Sequence, residues 1–193
     1  IDLTRINFND CNVYESMHDG DTIGIFQIES AAQIQTIKRI KPNNLVDMAY
    51  EVACVRPGVG VNDGVSKFIR RRNGEAWQFD HPLEESALKK TLGVILFQDQ
   101  VNKLAMEVGG FSEVQADELR RAFGWKRSDS IINEYRKDFI SGARLKGVNT
   151  NIAIKIFEKF NGQYMFPESH AFAFGITAYH MAWLKYYYPL EFY

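Results

Sequence analysis

The stretch 166–185, FPESHAFAFGITAYHMAWLK, constrains the fold of this chain more than any other. At helical spacing Phe172, Ile176, Tyr179 and Trp183 fall on one face, and Phe174, Ala178, Met181 and Leu184 cover much of the rest. A helix apolar nearly all round must be buried. Between His170 and Lys185 the apolar run is shorter than the ~20 residues a bilayer crossing needs, and His180 interrupts it. The pattern therefore predicts the central core helix of a soluble protein. Pro167, Glu168 and Ser169 favour a helix start through fixed φ, favourable charge and hydroxyl capping respectively. His170 then sits in or beside the first turn, where free backbone amides and the positive end of the helix dipole receive anions readily. The ordinary reading of such a residue is a histidine satisfied by its neighbours, and position alone favours it, since a helix start offers a capacity for anions and not an occupancy.

At 193 residues the chain is long enough for one core with at most a small subdomain. Its 23 Lys and Arg balance 24 Asp and Glu, so a net charge of -1 predicts neither a nucleic-acid partner nor a membrane. Any functional charge must lie in local clusters. Cys11 and Cys54 are too few and too isolated for a disulfide framework or a zinc site, and Cys54, in an apolar segment, is expected to pack as a small hydrophobe. With no signal peptide, lipidation motif or low-complexity tract, the cytoplasm is the default expectation. The chain opens without Met and stops on apolar residues, which reads as a piece of something longer.

Most of the remaining sequence also has helical period. Asn12–His18 reads as a short helix ending near Gly20, and Ile23–Gln27 as a brief extended run. Ser30 caps a helix carrying Ile34, Ile37 and Ile40, which Pro42 stops; Asn44 opens another through Leu45, Met48, Val52 and Val55. A loop from Trp77 to Pro82 leads to a helix through Leu83, Ala87 and Leu88. Val94–Phe97 is a second short apolar run, able to pair with Ile23–Gln27 as a minimal sheet. From Gln98 the pattern places Val101, Leu104, Ala105 and Val108 on one helical face until Gly109 and Gly110. Ser128 or Ser130 caps a helix with Ile132, Tyr135, Phe139 and Ala143 inward. Asn149 or Thr150 caps the next, with Ile152, Ile156, Phe157 and Phe160 inward and Lys155 and Lys159 outward; Gly162 closes it. The fold expected is mainly α, a multi-helix domain over 1–193 with at most that very small β element. No internal repeat appears at a fixed period.

Two regions concentrate positive charge. Segment 56–74, RPGVGVNDGVSKFIRRRNG, lacks the GK[ST] ending of a phosphate loop, and a turn followed by a short helix with a basic end is the better reading. Such a cluster is ordinarily a solvated face. In Ser112–Arg127, SEVQADELRRAFGWKR, Ser112 and Gln115 make a capping box, and Val114, Leu119, Ala122 and Phe123 supply the buried stripe. Arg120, Arg121, Lys126 and Arg127 interleave with Trp125, the charge and ring that a single strand or a nucleoside triphosphate needs. Plain salt bridging, such as Asp117 to Arg121 at i,i+4, explains the same residues equally well.

A complete active site is missing from this inventory. No compact pair of carboxylates suits two-metal phosphoryl chemistry, and Asp99, Asp117 and Glu118 read as surface or ion-pair residues. HExxH is absent, and His170 and His180 are ten residues apart on one helix, which argues against a joint metal site.

Five stretches in order resemble the alpha subunit of bacterial DNA polymerase III, the C-family replicative polymerase. They are IFQIES at 25–30, RPG at 56–58, GVILFQDQV at 93–101, ADELRRAF at 116–123, and FPESHA at 166–171 continuing through WLKYYYPLEF. Together they span nearly the whole chain. The FPESHA form is more similar to the error-prone paralogue than to the main replicative form, in which a lysine tends to replace the glutamate.

The resemblance implies the largely helical fingers domain, with the palm and its metal-binding aspartates upstream and outside this chain. Primer-template DNA and deoxynucleoside triphosphates are then the expected partners, Mg²⁺ the cofactor of the full-length enzyme, and a sliding clamp and other replisome subunits partners of other regions. It implies that Arg120 and Arg121 meet the triphosphate of the incoming nucleotide, with His170 near the same site. Lys67, Arg70, Arg71, Lys126 and Arg127 carry over only as phosphate or DNA contacts. The family usually continues RPG with proline, where this chain has Val59 and Gly60, and that departure weakens the carry-over to Lys67. The alternatives are a non-catalytic helical module that grips nucleic acid and a plain helical interaction domain.

Overall fold

A computed structural model describes residues 1–55, 63–124, 129–160 and 167–193. Its helices are α1 (Cys11–Met17), α2 (Ala31–Ile40), α3 (Leu45–Cys54), α4 (Asp63–Arg72), α5 (Glu85–Leu88), α6 (Gln98–Glu107), α7 (Glu113–Gly124), α8 (Asp129–Leu145), α9 (Thr150–Phe157), α10 (Glu168–Tyr187) and α11 (Pro189–Phe192). Single 3₁₀ turns lie at Leu3–Arg5, Pro82–Glu84 and Lys89–Thr91. No strand occurs among the described residues, so the fold is mainly α. The chain divides into two compact units, Ile1–Ile69 with Phe166–Tyr193, and Arg70–Met165.

Neither apolar run expected to be extended forms a strand. Around Ile23–Gln27 the backbone turns repeatedly: the Ile25 N–H bonds to the Thr22 carbonyl, Gly24 and Gln27 adopt positive φ, and the Thr22 hydroxyl donates to the Ile28 carbonyl at 2.5 Å. Val94–Phe97 has its hydrogen bonds taken locally, with Thr91 pairing both backbone groups of Val94. The Gln100 amide oxygen accepts the Leu96 and Phe97 N–H groups at 2.8 and 3.0 Å. Its amide nitrogen donates to the Ala87 carbonyl and the Thr91 hydroxyl. A buried glutamine thus does locally what a neighbouring strand would otherwise do.

The first unit is built on α3 and α10. Asn44 caps α3 by accepting the Asp47 N–H at 2.9 Å, and every residue from Asp47 to Cys54 is buried. α10 does not present the face expected from its large residues: Phe172, Ile176 and Trp183 are half-buried, and only Tyr179 of that set is buried. Its buried stripe is Ala171, Gly175, Ala178 and Ala182 with Tyr179. Small side chains let the two helix backbones approach, so the bulky residues flank the contact instead of filling it. The Tyr179 hydroxyl donates to the Asn7 carbonyl at 2.7 Å, and its ring packs on Tyr14 and Phe8. Pro167 occupies the N-cap of α10 with no side-chain cap bond, so Ser169 lies inside the first turn and does not cap it. Ser30 caps α2 through a capping box with Gln33, as its spacing predicts. Cys54 is fully buried, and Cys11 is exposed.

The second unit buries a phenylalanine cluster. The Phe139 ring lies 5.4 Å from that of Phe157 and 5.5 Å from that of Phe160, with Phe111 and Phe123 adding further ring contacts. Leu104, Ala105, Ala116 and Leu119 complete the apolar face shared by α6 and α7. Val114, expected inward, is 69% exposed, and Ala116 takes the buried position. Asn149 caps α9, while Ser130 lies inside α8 and Ser128 falls outside the described residues. Gly162 lies outside them too. Lys155 reaches outward only as far as Asp80, and Lys159 turns inward to pair with Asp80 and the fully buried Glu84. The carboxylate of Glu84 draws Lys159 in because a buried charge is stable only when paired.

Candidate functional site

The C-terminal half of α7 carries the paired arginines. The box at Ser112 fixes where the helix begins: Ser112 and Gln115 exchange side-chain and backbone hydrogen bonds at 2.9 and 3.3 Å. With Ala116, Leu119 and Ala122 turned into the core, Asp117, Arg120 and Arg121 are left towards the surface.

Asp117 holds both arginines. Its Oδ1 accepts from Arg120 Nε at 3.1 Å and Nη2 at 2.5 Å, and its Oδ2 pairs with Arg121 Nε at 2.8 Å. Arg120 Nη1 also donates to Gln98 Oε1, at 3.2 Å, on the first turn of α6. The Arg120 hydrogen bond and the charges of both arginines hold the Asp117 carboxyl below its ordinary pKa range. The side chain of Arg120 is 29% exposed and that of Arg121 56% exposed. Arg120 is therefore fixed from two helices, whereas among the described residues Arg121 is held at Nε and its side chain is more than half exposed.

These contacts make a compact cationic group with one carboxylate serving two guanidiniums. It keeps a net positive charge and presents planar N–H donors, the geometry that matches phosphate oxygens. The i,i+4 pair between Asp117 and Arg121 was legible from spacing. Gln98 was not, because it lies 22 residues from Arg120 in the chain and has no periodic relation to it.

The other expected residues sort differently. His170 belongs to the first unit, in the first turn of α10, where its half-buried ring packs edge-on against Phe174 at 3.9 Å between centroids. Lys67 is exposed on α4. Arg70 pairs with Glu75 at 2.7 Å. Arg71 turns inward: its Nη1 donates to the Leu92 carbonyl at 2.5 Å, and its guanidinium lies over the Trp77 ring at 5.3 Å. Trp125, Lys126 and Arg127 lie outside the described residues, as do Val59 and Gly60.

Among the described residues no group of three His, Cys, Asp or Glu side chains could hold a metal ion. No described helix is long and apolar enough to cross a membrane.

Comparisons with known proteins bear on what this arrangement serves. The profile of the bacterial DNA polymerase III alpha subunit finger domain matches residues 1–147. The error-prone DNA polymerase of Corynebacterium diphtheriae is 42% identical over 196 aligned residues, covering all of this chain and 19% of that protein. The error-prone DNA polymerase of Vibrio campbellii is 43% identical, again over all of this chain and 19% of the relative, and that of Mycobacterium tuberculosis 41% over 18%. The chain thus spans about a fifth of the length of the curated relatives it matches.

Proposed function

Since the chain belongs to the bacterial DNA polymerase III alpha subunit family and forms its finger domain, we propose that it receives the incoming deoxynucleoside triphosphate during template-directed DNA synthesis. The full-length protein is then a DNA-directed DNA polymerase, a nucleotidyltransferase of the error-prone kind that its relatives are named for. In this reading the segment alone is inactive, because the catalytic carboxylates and the Mg²⁺ ions they bind belong to the palm. Among the described residues no group of three His, Cys, Asp or Glu side chains is placed to hold such an ion.

One observation carries the proposal: two adjacent arginines are oriented on one carboxylate, with Arg121 held at Nε and its side chain more than half exposed. Donors fixed before the substrate arrives stabilise phosphate charge without reorganising at the moment of reaction. Arg120 and Arg121 contact the triphosphate. His170, in the first turn of α10 of the first unit, is a nucleotide contact in its own right. Lys67 and Arg70, with Lys126 and Arg127, contact the backbone phosphates of primer-template DNA. Arg71 is a phosphate contact in the same reading, its guanidinium held by the Leu92 carbonyl and the Trp77 ring. Clamp and other replisome subunits meet other regions of the full-length chain, which acts in the bacterial cytoplasm.

Primer extension by the full-length protein tests the proposal. Template-directed incorporation that weakens when Arg121 is replaced supports it. Salt-sensitive DNA binding with no extension would favour a non-catalytic nucleic-acid module.

A further inference from the structure

Arg120 is the most tightly held cation among the described basic residues of α7, and the groups that hold it come from two helices. Asp117, one turn earlier on α7, takes Nε and Nη2, while Gln98 on α6 takes Nη1. A guanidinium has five N–H groups, so these three bonds leave two for an oxyanion. Gln98 is well suited chemically to its position. A neutral amide oxygen orients Arg120 without adding negative charge where phosphate must approach, whereas a carboxylate there would compete with the substrate. The neighbouring residues fix Gln98 in turn. It opens α6 directly after Phe97, whose N–H is bonded to Gln100, and the Gln100 amide is anchored on Ala87 and Thr91.

We infer that Gln98 is a positioning residue for nucleotide binding, one that sets the guanidinium plane of Arg120 from α6 while Asp117 sets it from α7. The inference rests on the reading of Arg120 and Arg121 as triphosphate contacts. It gives the two glutamines of the FQDQ stretch separate tasks, Gln100 fixing the chain before α6 and Gln98 aiming an arginine across to α7.

The test is steady-state single-nucleotide incorporation by the full-length polymerase. The variants are Gln98→Ala, Gln98→Glu, Arg120→Ala and the Gln98→Ala/Arg120→Ala double variant, with thermal unfolding and primer-template affinity measured beside them. Gln98→Ala is expected to raise the nucleotide KM about fivefold with a smaller change in kcat, as for the loss of one hydrogen bond of ordinary net strength at a part-exposed site. Gln98→Glu is expected to raise it further although the side chain keeps its shape. In the Arg120→Ala background, Gln98→Ala is expected to add nothing, since its effect passes through Arg120. An undiminished effect in that background, or a wild-type KM in both Gln98 variants, overturns the inference while leaving the phosphate role of Arg120 standing. Unchanged KM in Arg120→Ala overturns the underlying reading as well. A fall in unfolding temperature or DNA affinity in Gln98→Glu with no change in KM would mark the residue as merely structural and also overturn it.

Discussion

Gly175 of α10 lies so close to α3 that a Cβ placed on it would stand 3.0 Å from the backbone nitrogen of Ala49 and 3.2 Å from the carbonyl carbon of Met48. The atoms it would meet are main chain and cannot rotate away. The packing of the first unit therefore depends on the absence of one methyl group.

Gly175→Ala gains about 1 kcal/mol of helix propensity but must force two backbones apart, an overpacking cost of about 1–3 kcal/mol. The expected net result is destabilisation by about 1 kcal/mol, and more for Gly175→Val. Hydrogen exchange of the α3 and α10 amides in the full-length protein would report it. Unchanged protection in both variants would contradict the close contact.

Lys159 and Glu84 make the next prediction. Glu84 is fully buried, accepts the N–H groups of Asp80 and His81, and pairs with Lys159. Lys159→Met leaves that carboxylate buried without its cation and should cost about 3–5 kcal/mol, whereas Lys155→Met, on the exposed side of Asp80, should cost less than about 1 kcal/mol. Burial pushes the Asp80 carboxyl up, but the hydrogen bonds and charges of Lys155 and Lys159 outweigh it and leave the pKa below the ordinary value. The contribution of Asp80 is therefore present above about pH 4 and lost as pH falls through its lowered folded pKa. Protection of α9 amides in the full-length protein, followed for both variants and down the acid range, would check cost and sign together. Equal losses for the two lysine variants would contradict the account.

Glu51 behaves in the opposite sense. It is fully buried in the middle of α3, and among the described residues neither carboxylate oxygen has a hydrogen-bond partner. Burial alone pushes its pKa well above the ordinary range. Stability from this group is then greatest below about pH 4 and is lost as pH rises towards the raised folded pKa. Glu51→Met should stabilise the first unit at pH 7 by about 1–3 kcal/mol and flatten that pH dependence. Unfolding curves for the two proteins at pH 5 and pH 8 would show it, and a less stable variant at pH 8 would contradict it.

Helix starts and the apolar faces of α6, α8 and α9 were legible in the sequence, because Ser30, Asn44, Ser112 and Asn149 each cap locally and the apolar period repeats within one helix. Contacts between distant residues were not. The buried stripe of α10 consists of Ala and Gly, which a reading weighted towards bulk assigns to the wrong face. Gly109 reads as a helix stop, yet its carbonyl lies where a Cβ on Gly142 would have to be, so both glycines also serve packing. Val94–Phe97 has the composition of a strand, yet Gln100 and Thr91 supply the partners a strand would have given it. At the candidate site the arginine pair and Asp117 could be read from helical spacing. The role of Gln98 required the fold, since nothing in a linear pattern ties residue 98 to residue 120.

The most direct test of the central claim is single-nucleotide incorporation on a primed template with Mg²⁺, comparing full-length wild type with Arg121→Ala. The account predicts template-directed extension by the wild type and a loss of at least about tenfold in kcat/KM for the nucleotide in the variant, about 1.4 kcal/mol. A folded Arg121→Ala protein with unchanged kinetics, or a folded wild type that extends no primer, would contradict it.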